Sequence, residues 1–203
     1  NSTIDRYQTN NKIKDLVVEF SKDKERKCKI YLLHGDMSDG EMVSLYKNPK
    51  IKALINLSHG EGFGLPMFEA AHNGLPVVAP NWSGQNDFLY APKKDKKGKE
   101  KMKPFFANVD YVLKQVQPEA AWPGVIQQDS FWCFAHEGNY KKNLRDVYIN
   151  YGQYQKQAKD LKKYIIKNFT EEKQYKKFAD FICPEEEFEI EDWLNNLDVK
   201  EIA

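Results

Sequence analysis

Residues 51–80 read IKALINLSHGEGFGLPMFEAAHNGLPVVAP, and they constrain the fold more than any other stretch. The apolar run 51–58 closes on Gly60 after two residues, as a buried parallel strand does. Gly60-Glu61-Gly62-Phe63-Gly64-Leu65 is then a glycine-rich turn, and Pro66 opens a helix, PMFEAAHN, that Gly74 stops. Proline near the first helical position and glycine just past the end are the expected punctuation. GLPVVAP (74–80) makes the next strand. A strand, a crossover helix and a second strand at this spacing predict a right-handed βαβ unit in a parallel sheet covered on both faces.

That turn predicts a binding place. At the carboxyl edge of a parallel sheet, free backbone N–H groups and the positive end of a helix dipole converge, which suits a phosphate. The dinucleotide fingerprint G-x-G-x-x-G accepts Gly62 and Gly64 but meets Met67 at its third position. It also leaves Glu61 unexplained, because a fixed negative charge beside a pyrophosphate repels it. A carboxylate has two acceptor oxygens and fits a pair of neighbouring hydroxyls. Glu61 and Glu69, on either side of the turn, therefore suggest a ligand with hydroxyls on both sides of a diphosphate: sugar, diphosphate, ribose.

Around this centre further alternation is expected. CKIYLLHG (28–35) reads as another strand, and Asn1 to Arg6 as the end of one. Helices are predicted over 12–23, with Ile13, Leu16, Val17 and Phe20 on one face, and over 38–48, with Met42, Leu45 and Tyr46 on one face and Ser38 or Asp39 as cap. The stretch KKDKKGKEKMK (93–103) holds seven lysines with no periodicity and reads as a solvated loop, an anion or membrane-surface patch if it has a function. Segment 104–133 is aromatic and proline-punctuated and reads as an irregular covering of the sheet. Residues 137–169 are helical in pattern, with Leu144, Val147, Tyr148 and Tyr151 on one face and a break near Gly152. Thr170 caps a further helix over 170–182, and the acidic segment 183–203 keeps Phe188, Trp193, Leu194 and Leu197 for docking.

A chain of 203 residues suits one domain plus appendages, given about 100 to 200 residues per domain. Lys and Arg number 31 against 30 Asp and Glu, a net charge of +1, so no global field points to nucleic acid. Three cysteines, Cys28, Cys133 and Cys183, are far apart and in no metal-ligand spacing, as in a reducing compartment. No run approaches the ~20 apolar residues of a membrane span. A soluble, cytoplasmic protein is expected, with peripheral membrane contact left open.

Glu-x7-Glu around G-F-G-L-P, followed by EAAHNGLPVVA and SGQND, resembles the C-terminal half of the GT-B retaining glycosyltransferases of family 4 and their relatives. The likeness covers about residues 4–182. His72 and Asn73 replace smaller residues of the family pattern, and Asp87 stands where its last acid falls. The resemblance implies a Rossmann-like nucleotide-sugar-binding domain over 1–182, with 183–203 a C-terminal acidic helical segment and an acceptor-binding N-terminal domain outside this chain. It also implies metal-independent transfer, with retention, of a hexose-type sugar from a nucleoside diphosphate donor such as a UDP- or GDP-sugar to an unknown acceptor. No cofactor is implied. Glu61 becomes the catalytic-site carboxylate, accepting from hydroxyls of the transferred sugar. Gly62, Phe63, Gly64 and Leu65 offer N–H groups to sugar and diphosphate, Glu69 holds the ribose diol, and Met37 lies beside the nucleobase. Arg6 matches the first residue of the family's basic pair. The second falls on Asn10 or Asn11, with Lys12 one step on as its substitute.

Other readings stay open on the residues themselves. The same sugar-nucleotide chemistry serves epimerases and phosphorylases, and the imperfect basic pair suits a non-catalytic sugar-nucleotide binder or scaffold partner. A nicotinamide-binding domain would use Asp87 as its ribose acid. Glu69 in a first helical turn is stabilised by the dipole whatever it binds. His34, His59, His72 and His136 read as solvated or capping residues, with His59 alone near the site. Trp82 and Trp132 read as packing, with Trp82 also placed to line a sugar pocket.

Overall fold

The computed structural model describes residues 2–21 and 28–183. The expected docking residues Phe188, Trp193, Leu194 and Leu197 lie outside them. The chain divides into two units, residues 1–44 and 45–203.

The first unit holds α1 (Ser2–Phe20) and most of α2 (Asp39–Lys47). Helix α1 corrects the reading of Asn1 to Arg6 as the end of a strand. This polar segment has no ladder partner among the described residues, so i→i−4 bonding satisfies its backbone, and Asp5 in the first turn favours that. Its expected apolar face is not buried within the unit, where Leu16 and Phe20 are exposed. Residues 28–35 form no strand either. Ile30, Tyr31, Leu32 and Leu33 are exposed, and an apolar run becomes a strand only where its N–H and C=O groups find a neighbour. The predicted α2 does form, opened by a reciprocal cap: Ser38 N donates to Glu41 Oε2 at 2.8 Å and Glu41 N to Ser38 Oγ at 3.4 Å.

The second unit is mixed α/β around a small parallel sheet. Its strands are β1 (Leu54–Ile55), β2 (Val77–Pro80) and, after the helices α3 (Leu65–His72) and α4 (Asn86–Leu89) and an intervening hairpin, β5 (Ala107–Val109). The order is β1-β2-β5, with Leu54 opposite Val77 and Val78 opposite Ala107. The third strand thus comes from the segment expected to be irregular. Ala107 and Val109 are buried and alternate with Asn108, which is the signal that the aromatic and proline content obscured.

The hairpin is the lysine-rich segment itself. β3 (Tyr90–Lys94) and β4 (Glu100–Pro104) pair antiparallel, which corrects the reading of 93–103 as a loop. Asp95 opens the turn and Gly98 closes it at φ 78°, with Asp95 Oδ1 accepting from the N–H groups of Lys97 and Lys99. Asp-x-x-Gly is a type I turn signature. A second antiparallel pair, β6 (Tyr111–Gln115) with β7 (Phe131–Ala135), also arises from this region, and the residues between them, 116–130, are largely irregular as expected.

Helices α5 (Glu137–Ile149), α6 (Tyr151–Asn168) and α7 (Glu171–Ile182) follow. The expected break near Gly152 falls at Asn150, whose Nδ2 donates to Asp146 Oδ1. Val147 of α5 joins Val78, Ala107 and Val109 in one buried cluster, with Leu144 packed against it. Tyr148 is exposed and does not share that face. Val77 and Ala79 point the other way along β2 and are buried too, on the side of α3, whose Met67, Ala70 and Ala71 are sealed from solvent. Leu161 and Ile165 of α6 complete that layer against α3. Thr170 Oγ1 accepts from Lys173 N, the cap its position predicts.

Candidate functional site

The turn after β1 lies at the carboxyl edge of the sheet, because β1 and β2 run parallel and α3 returns between them. Gly64 adopts φ 87°, a left-handed conformation that brings the chain into α3, and Pro66 sits in the helix's first turn. Gly64 O accepts from Met67 N and Phe68 N. Among the described residues, the N–H groups of Gly62, Phe63, Gly64 and Leu65 carry no hydrogen bond within the protein. Four unbonded donors therefore lead into a helix that begins at Leu65.

A second loop clamps the turn from behind. Glu61 N donates to Ser83 Oγ at 3.2 Å, while Glu61 O accepts from Ser83 Oγ at 2.6 Å and Gly84 N at 3.1 Å. Ser83 takes φ 73° to do this. Gly84 runs so close that a Cβ there would stand 2.1 Å from Gly62 O. Beneath, Gln85 is 2 % exposed and donates through Nε2 to Pro80 O. The Phe63 ring tilts against Phe68 and Phe88 with centroids 5.2 and 5.0 Å away, so its backbone is anchored by packing.

Each of the two glutamates is held by one neutral donor. Asn56 Nδ2 donates to Glu61 Oε1 at 3.0 Å, and Asn56 Oδ1 in turn accepts from Ser58 N. Tyr46 Oη donates to Glu69 Oε2 at 3.1 Å. Burial first, then the hydrogen bond and charge of Glu69, push the Tyr46 phenol up to about 12, so it stays a donor at neutral pH. In both carboxylates the other oxygen keeps its lone pairs. Glu69 lies beyond the first turn of α3, so the helix dipole accounts for less of it than its sequence position suggested.

Glu61, Gly62, Phe63, Gly64, Leu65 and Glu69 thus come together on one strand–turn–helix element. Arg6, Lys12 and Met37 belong to the other unit. Arg6 and Lys12 are both exposed on α1, six residues apart, which at about 100° per residue sets them roughly 120° apart around the helix axis. They do not share a face. Met37 is half-buried just ahead of α2.

Sequence reasoning did not single out four residues that shape this site: Tyr46, Asn56, Ser83 and Gly84. Tyr46 reads as packing on α2, and only its partner marks it as a positioning group. Asn56 carried a signal, a lone amide in the apolar run INLS.

At the same edge, a cavity of about 410 Å³ opens beyond β2 and β5, lined by Asn81, Asn108, Asp110, Tyr111 and His136. Trp82 lies against Tyr111 with ring centroids 5.6 Å apart, and its Nε1 would be 3.8 Å from a Cβ on Gly60. His59 is a packing residue: it stacks on Trp132 at 4.8 Å, and its Nδ1 lies 2.7 Å from Cys133 O, a carbonyl that only accepts. Cys133 is buried, and burial raises its thiol, whereas Cys28 and Cys183 are exposed. Among the described residues no cluster of His, Cys, Asp and Glu is arranged to hold a metal, and no helix is long and apolar enough to cross a membrane.

No protein-family model, no curated protein and no solved structure matches this chain.

Proposed function

We propose that residues 45–183 form a Rossmann-like donor site for a nucleoside diphosphate sugar, and that the protein is a GT-B-type retaining glycosyltransferase. One observation carries the reading: four unbonded N–H groups, from Gly62 to Leu65, lie between two carboxylates that each keep an oxygen open. The N–H groups take the diphosphate, supported by the dipole of α3. Glu61, with Oε1 fixed by Asn56, accepts from sugar hydroxyls through Oε2. Glu69, fixed by Tyr46, accepts from the ribose diol. The leaving diphosphate is stabilised by backbone donors already oriented before the reaction, which lowers the barrier because no reorganisation is needed.

Thermal unfolding with a panel of nucleoside diphosphates and their sugars tests this, because a ligand bound to the folded state raises stability with concentration. One base is expected to shift the midpoint, Glu69→Ala to abolish the shift, and Glu61→Gln to weaken it for the sugar conjugate more than for the free diphosphate. No shift with any of them refutes the site.

A second reading, a sugar-nucleotide binder without transferase activity, is favoured by the divergence of Arg6 and Lys12 around α1. Two basic side chains on different faces of one helix do not jointly neutralise one diphosphate. Product analysis with a donor that binds separates the two: turnover supports the transferase, and tight binding without turnover supports the binder.

A further inference from the structure

The lysines of the β3–β4 hairpin are arranged, not scattered. Lys93 stands directly opposite Lys101, and Ala91 opposite Lys103. Cross-strand partners share a face and so do alternate residues, so Lys93, Lys101 and Lys103 project from the same side of the hairpin. Like charges directly opposed in a sheet destabilise it. Glu100 is paired with Lys94 on the other face.

Two adjoining cavities, of about 600 and 360 Å³, lie beside this hairpin and share Lys93, Lys94, Phe105 and Gln157 in their walls. The larger adds Lys156 and Tyr164 from α6, and the smaller adds Lys103 from β4. Lysines from β3, β4 and α6 thus line the two cavities, and Phe105 is common to both walls. Two acids share these walls, and the four lysines outnumber them. Asp95 caps the hairpin turn, and Asp160 lies 3.6 Å from Lys163. Among the described residues, Lys93, Lys94, Lys103 and Lys156 make no ion pair. The chain's net charge is only +1, so this is a local concentration of positive charge.

We propose that the groove between the β3–β4 hairpin and α6 binds a ligand carrying more than one phosphate. Lysine is a point-charge phosphate binder with three donors and no required geometry, which suits convergence from three elements. The groove's volume exceeds what one phosphate fills, and its aromatic wall from Phe105 and Tyr164 leaves room for the body that carries the phosphates. Such phosphates come either from a free polyphosphate or from a phosphorylated lipid headgroup.

The full 203-residue chain is titrated with inorganic tripolyphosphate by calorimetry, and mixed with vesicles of phosphatidylcholine alone or containing phosphatidylinositol bisphosphate. Wild type is expected to bind tripolyphosphate, and the triple variant Lys93→Ala, Lys103→Ala, Lys156→Ala to bind at least about tenfold more weakly, with far-UV circular dichroism unchanged because all three are exposed. Binding weakens as salt shortens the Debye length. Sedimentation of wild type but not the variant with the phosphorylated vesicles identifies the lipid as the source, and binding of tripolyphosphate alone identifies the free anion. The triple variant keeps the thermal shift that a nucleoside diphosphate gives wild type, which separates this groove from the donor site. Failure of wild type to bind either probe, or equal binding by the triple variant, overturns the proposal.

Discussion

Tyr46 Oη donates to Glu69 Oε2 across 3.1 Å, joining the C-terminal part of α2 to α3. The tyrosine is 6 % exposed, so its hydroxyl has little water to turn to, and the carboxylate is its partner. Glu69 is thereby aimed by a residue 23 positions away in the chain. Tyr46→Phe removes the donor and keeps the ring. Urea unfolding is expected to show a loss of about 1 kcal/mol, the net value of an ordinary buried hydrogen bond. Nucleoside diphosphate binding is expected to weaken less than in Glu69→Ala; an affinity equal to wild type would mean that Tyr46 does not position Glu69.

Alkaline pH probes the same contact. Tyr46 and Tyr154 are both pushed up to about 12, each by burial first and then by a carboxylate, Glu69 or Asp146. Their folded values lie above the unfolded value of about 10, so the folded state binds more protons between the two. The stability they contribute is complete below about pH 10 and is lost as pH rises towards 12. Ultraviolet titration should show a late-ionising phase from these two phenols, and the double variant Tyr46→Phe, Tyr154→Phe should lack that contribution.

Two glycines of the site should respond in opposite ways. A Cβ on Gly84 would sit 2.1 Å from Gly62 O, backbone against backbone, so Gly84→Ala forces the two loops apart. A destabilisation above about 3 kcal/mol is expected, together with loss of ligand binding. A Cβ on Gly62 meets nothing within 4 Å, so Gly62→Ala should unfold within about 0.5 kcal/mol of wild type. Its methyl group would instead stand beside its own N–H and that of Phe63, in space a diphosphate would need, and weaken diphosphate binding. Denaturant curves and the ligand-induced thermal shift, measured on both variants, read the two effects separately.

The layer behind the site is tested through Leu161, which is 1 % exposed on the face of α6 that meets α3. Leu161→Ala deletes buried methyl groups and leaves a cavity. Calorimetric or chemical unfolding should lose about 2–5 kcal/mol. A loss below about 1 kcal/mol would show that α6 does not seal α3 in solution.

Local chemistry made much of this legible. The strand–turn–helix around Gly60–Leu65, the caps at Ser38 and Thr170, and the paired glutamates all rest on residues within a few positions of one another, where steric and hydrogen-bond rules act directly. Residues 28–35 and 93–103 failed in complementary ways. The first is apolar enough for a strand but finds no ladder; the second is too polar to look like one, yet pairs because Asp95 and Gly98 close a turn and bring two strands into register.

What the sequence determined by itself is a set of short-range features: where α2, α3 and α7 start, and which acids flank the glycine-rich turn. The tertiary structure alone decided which extended segments became strands, since a backbone donor is satisfied by whichever chain lies alongside, however distant in number. It brought Ala107–Val109 into the sheet and set Gly84 against Gly62. It likewise supplied Tyr46 to Glu69 and Asn56 to Glu61. Side-chain orientation depends on packing between elements, and no spacing along one chain encodes it.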